Sequence, residues 1–107
     1  MSEIDDRNAA EIEQRRAREK AIVTVRTLLV RVKQNEILLG QAAERIARCQ
    51  EIIKRSPFEE KYLGPTLSFW IRQRDHHQRV LHECAIHDAD LRKSMSAEDI
   101  RIAIEQS

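Results

Sequence analysis

The sequence predicts an all-α protein: a long antiparallel helical hairpin, coiled-coil-like, with a short helix at its turn and a small C-terminal helix. Three observations predict it. Only two Gly and two Pro occur in 107 residues, too few for the turns of a many-stranded sandwich or barrel. Apolar residues recur with a heptad period from Ala21 to Ile53, the pattern of a helix packed along a seam. Three of the four breakers, Pro57, Gly64 and Pro65, fall in one ten-residue stretch, which marks a single turn between two long helices.

Residues 1–20 read as a charged arm or helix extension ahead of a hairpin domain, 21–107. Asp5 to Lys20 is nearly all Glu, Asp, Arg, Gln and Ala. These favour helix, and pairs such as Glu11 with Arg15 support it at i,i+4 spacing. With few apolar side chains, the arm is expected to be solvated or frayed.

From Ala21 the heptad takes over. With Val25 at position a, the a series is Val25, Val32, Leu39, Ile46 and Ile53, and the d series is Ala21, Leu28, Asn35, Ala42 and Cys49. Val25, Leu28, Val32, Leu39, Ile46 and Ile53 are the expected oligomerisation seam. Val23, Val30 and Ile37 add a second stripe at position f, on the back of the helix. A helix apolar on two sides needs a second packing partner, so the chain is expected to homo-oligomerise. A thin core in a short chain points the same way. Val, Ile and Thr are abundant in Ile22–Val32, but nothing breaks the helix on either side, so a strand is not expected there.

Lys54 and Arg55 suit the negative end of the helix dipole. Ser56-Pro57-Phe58-Glu59 reads as a capping box with Pro at the first helical position. A short helix is expected over 57–63, ended by Gly64 in a left-handed C′ conformation and by Pro65. Thr66 or Ser68 would cap the next helix, 67–94, and Ser96 the last, 97–106. Phe58, Tyr62 and Trp70 cluster at the turn, where they are expected to plug the end of the hairpin. Exposed, they would form an aromatic docking knob. With the turn near residue 61, Cys49 would lie level with about residue 73. That is far from Cys84, so a disulfide is not expected and both thiols act as small buried hydrophobes.

Arg72 to Arg79 runs eight residues without a hydrophobe. Arg74 and His77 fall at seam positions there. Arg72, Arg74, His77 and Arg79 are therefore the candidate residues for binding a partner's anionic group, a carboxylate, a phosphate or an acidic helix. The competing reading puts Arg74 and His77 at the rim, facing Glu44 and Glu51. No two histidines stand at i,i+4, and Cys84, His87 and Asp88 lack the further ligand that structural zinc requires, so no metal and no cofactor are expected.

Charge is balanced, with 19 Lys+Arg against 18 Asp+Glu and a net of +1. A strongly basic nucleic-acid module is not what that composition suggests. No apolar run approaches the roughly 20 residues of a membrane helix, and Met1-Ser2-Glu3-Ile4-Asp5-Asp6 is acidic where a signal peptide is basic. The expected location is cytoplasmic. No nucleophile elbow, phosphate loop or framed carboxylate pair is present, so no catalytic residue is assigned and the chain is not expected to be an enzyme. In size and helix order alone it is similar to small all-helical chorismate mutases, and no residue carries over from them.

The leading expectation is a non-enzymatic coiled-coil assembly or adaptor protein that homo-oligomerises and binds a protein partner. In outline the hairpin also resembles the oligomerisation hairpins of phage terminase small subunits, which implies a DNA-handling subunit of a larger machine. It resembles the stalk or chaperone subunits of secretion ATPases in the same outline way.

Overall fold

A computed structural model describes the backbone from Glu3 and side chains from Asp6 to Ser107; the first five residues of the charged arm fall outside the described side chains. The fold is all-α. Helix α1 runs Glu3–Arg55, a single 3-10 turn covers Pro57–Glu59, α2 runs Glu60–Lys93 and α3 runs Ala97–Glu105. The chain divides into two units, one made of residues up to Val30 with Ile86–Ser107, the other of Arg31–Ala85.

In the second unit α1 and α2 pack antiparallel. The heptad does what its spacing dictates: Ala42, Ile46 and Cys49 are buried on α1, and Val80 and Cys84 on α2. Glu36, Ala43, Arg45 and Gln50, from the flanking e and g positions, stay exposed. A single apolar stripe closing on a single facing helix explains that division.

In the first unit α1 meets α3 and the last turns of α2. Val25, Leu28 and Ala103 are buried. Val25 is the largest side chain with no exposure at all, so the heptad's apolar reach extends into this unit. The Val/Ile/Thr-rich stretch is helical as expected. Thr24 and Thr27 turn their hydroxyls back onto the carbonyls of Lys20 and Val23, at 2.7 and 2.9 Å, which satisfies them without leaving the helix.

α3 begins as its sequence predicts. Ser96 is its N-cap, and its Oγ accepts from the Asp99 backbone N–H at 3.1 Å. Glu98 and Asp99 place acids in the first turn, where the helix dipole favours them.

The turn differs from expectation. The only break between α1 and α2 is at Ser56–Glu59, and no separate helix ends at Gly64. Gly64 has an ordinary negative φ, since no described glycine is at positive φ. Pro65 sits inside α2. The reason is its place near the helix start. A proline removes the bond to the carbonyl four residues back, here Lys61, and Lys61 is exposed. Water can serve that one carbonyl, so the loss is local. Ser56 stands at the N-cap position with Pro57 after it, but its side chain makes no capping bond. The Glu59 N–H instead bonds the Ser56 carbonyl at 2.9 Å, the tight i→i+3 closure of a 3-10 turn.

Moving the turn from residue 61 to residue 56 shifts the pairing of the two helices. Asn35 bonds His77, so Cys49 lies level with about residue 63 instead of 73. Cys49 and Cys84 are then about 30 Å apart along the hairpin at helical rise. Both are free, buried thiols.

Candidate functional site

The residues marked as the oligomerisation seam are occupied by the chain itself. Val25, Leu28 and Ile46 are buried, and Val32, Leu39 and Ile53 are half-buried, without any second copy. The back face is different. Val23 is 47%, Val30 42% and Ile37 63% exposed, and Leu38 beside them is 41% exposed. No described residue covers Val23, Val30 or Ile37. Isolated apolar residues on a surface are ordinary, but these three recur at successive heptad repeats on one side of α1, with Arg26, Thr27, Lys33 and Gln34 between them,.

The polar seam positions of the second unit are paired. Asn35, 9% exposed, sends its Nδ2 to the Arg31 carbonyl at 2.8 Å. Its Oδ1 is then left to accept from His77 Nδ1, 2.9 Å away. That bond requires a proton on Nδ1, which both the neutral Nδ1 tautomer and the imidazolium carry. A single polar pair of this kind fixes register between packed helices, because any slip buries both groups unsatisfied. His77 is therefore an internal residue of the hairpin and faces neither Glu44 nor Glu51.

The other members of the candidate anion site part company with it. Arg74 is half-buried and bonds the neighbouring Asp75 at 3.3 Å. Arg72 and Arg79 are exposed. The four residues do not converge on one point: His77 is turned to α1, while Arg72 and Arg79 face solvent.

The turn cluster does not form a plug. Phe58 is 74% and Tyr62 70% exposed. They stand at i,i+4 and so share a face, and it is the outward face, while Leu63 and Leu67 take the inward positions. Trp70 is half-buried and packs edge-on against Phe69, with ring centroids 5.1 Å apart. The Arg45 guanidinium stands over the Trp70 ring at 5.8 Å, a cation–π distance,. A shallow cavity of about 320 Å³ beside them is lined by Gln41, Glu44, Arg45, Arg48 and Trp70.

The strongest polar contact was not anticipated from the sequence. Arg18 grips Asp99 with two parallel bonds, Nε to Oδ2 at 3.0 Å and Nη2 to Oδ1 at 2.9 Å. Asp99 is only 3% exposed. A signal existed: extending the heptad one repeat back from Val25 puts Arg18 at position a, where a charge requires a polar partner. Arg26 reaches Gln106 at 3.1 Å in the same unit. Thus the charged arm is engaged by α3 at Arg18.

The Arg18 hydrogen bonds hold the Asp99 carboxyl below its usual range, against the opposing effect of its burial,. A lowered carboxylate pKa contributes stability that is complete above the unfolded value and is lost only as pH falls through the folded one. The attachment of α3 is expected to persist through mildly acidic pH and to weaken below the ordinary carboxylate range. Amide exchange in 97–105, corrected for intrinsic rate, measures this. Arg18→Met should lower protection there about tenfold at neutral pH and flatten its acid dependence. Unchanged protection would show that the ion pair does not hold α3.

Among the described residues no three His, Cys, Asp or Glu side chains are placed to hold a metal ion. No described helix is long and apolar enough to cross a membrane. Searches of protein-family models, curated proteins and solved structures gave no match to this chain.

Proposed function

We propose that the protein is a non-enzymatic assembly module that self-associates through the back face of α1 and offers exposed cations to a further protein. One observation carries the reading. The hairpin seam is filled by the chain's own helices, yet Val23, Val30 and Ile37 stay exposed on a separate stripe. Such a strip is costly to leave in water, and burying it against another apolar surface recovers about 25 cal/mol per Å². Arg72 and Arg79, exposed on α2, are the cations an acidic partner surface would meet.

The test is mass in solution, with and without a charge placed on the stripe. Self-association that is lost in the stripe variant supports the reading, and a monomer at micromolar concentration overturns it. The nucleic-acid alternative separates by salt: DNA affinity falling steeply with ionic strength would favour that alternative over this reading.

A further inference from the structure

Gln41, Glu44, Arg45 and Arg48 of α1 and Trp70 of α2 line one recess of about 320 Å³, and all five lie in the unit Arg31–Ala85. Arg45 is exposed yet held in place, because its guanidinium stands over the Trp70 ring. A cation–π contact uses the charge of an arginine and spends none of its N–H donors. Among the described residues Arg45 has neither an ion-pair nor a hydrogen-bond partner, so its whole fork of donors is unspent. Arg48 is held only through Nη2, 3.3 Å from Glu44, an exposed pair of the kind that contributes little. We propose that this recess binds a carboxylate side chain of a protein partner, with Arg45 as the anchor and Arg48 beside it. The site is separate from Arg72 and Arg79; it rests on the reading that a further protein is bound, and not on self-association.

Charge, shape and size each select that occupant. Two guanidinium groups beside one carboxylate leave the recess with a single positive charge, which one carboxylate neutralises. A phosphate group carries about −1.5 to −2 at neutral pH and would leave excess negative charge beside Glu44. A planar carboxylate also matches the planar fork of Arg45 with two parallel bonds. Size decides between a free acid and a side chain. Gln41, Glu44, Arg45 and Arg48 are all exposed, so the recess is open. A small-molecule site buries about 70–90% of its ligand, which an open recess cannot do. It admits one side chain, and the surface that carries that side chain supplies the rest of the contact.

A nucleic-acid strand fits these residues poorly. Its phosphates repeat, and Glu44 and Glu51 recur at the same heptad position along this stretch of α1, where they repel a run of negative charge. One carboxylate from a protein surface meets Arg45 and Arg48 without that conflict.

Trp70 is the only tryptophan of the chain, so its fluorescence reads the recess directly. The probe is an alanine-rich peptide, acetylated and amidated at its ends, that carries one glutamate; its glutamine counterpart is the control. Titrated into the full chain at fixed ionic strength, the glutamate peptide should change Trp70 emission saturably. The glutamine peptide should bind at least about tenfold more weakly. Arg45→Gln should lower affinity for the glutamate peptide about tenfold, and Arg45→Lys, which keeps the charge and loses the fork, should recover only part of it. The helical signal of both variants should match wild type, since Arg45 is exposed. The comparison of peptides on the wild-type chain stands without any variant. No saturable change, an equal response to the two peptides, or inorganic phosphate bound more tightly than the glutamate peptide overturns the proposal. Sedimentation of the same samples reads self-association separately: a wild-type chain that self-associates and ignores the glutamate peptide lacks this site and keeps its interface.

Discussion

Ile46→Ala is expected to lower the stability of the chain by about 3 kcal/mol, within the 2–5 kcal/mol range for such truncations. Ile46 is 5% exposed and sits at position a between Ala42 and Cys49, the other buried residues of that stretch of α1. Both of those neighbours in the seam are small, so little material is available to collapse into the space the side chain leaves. A chain of this size holds about 5–15 kcal/mol in all, and one core truncation removes a large share. Urea unfolding at fixed protein concentration measures the loss, the concentration being fixed because association adds to apparent stability. A change under 1 kcal/mol would show that α2 does not close over this position.

Val30→Glu is expected to act on association and not on folding. Val30 is 42% exposed and is not among the buried residues of the core, so the helical signal of a dilute sample should be unchanged. In a self-associated form a carboxylate introduced on the stripe has to be buried against the apolar surface of another copy. Burying an unpaired charge costs several kcal/mol, so the assembly should dissociate at concentrations at least about a hundredfold higher than for wild type. Equal association of the two proteins would move the interface away from this stripe.

The two expectations rest on the same heptad read two ways, and that heptad was the most legible part of the molecule. Val25, Leu28, Ile46 and Cys49 are buried where their spacing puts them, because a seven-residue repeat on a helix leaves no other face to bury. The back stripe was legible for the same reason. The turn was misplaced because Gly64 and Pro65 carry strong stop signals, yet a proline near the start of a helix loses only one bond at a wet end. That error carried into the candidate site. With the turn set five residues too late, His77 pointed at Glu44 and Glu51 rather than at Asn35, although both members of the pair had been placed in the seam. Phe58 and Tyr62 moved for the same reason: a tight 3-10 turn leaves no end to plug.

The Arg18–Asp99 clasp was out of reach for another cause. It joins residues 81 apart in sequence, and helical periodicity specifies which face a residue occupies but not which distant element arrives there. A charge at position a of the extended heptad signals that a polar partner exists and leaves its identity open.

The central claim is that the uncovered stripe of α1 is an interface between copies of this chain. Sedimentation equilibrium of the wild-type protein at micromolar concentration tests it most directly. The account predicts a mass that rises above the 12.5 kDa of one chain, falling to the single-chain mass in Val30→Glu. A wild-type protein that stays at the single-chain mass across that range contradicts it.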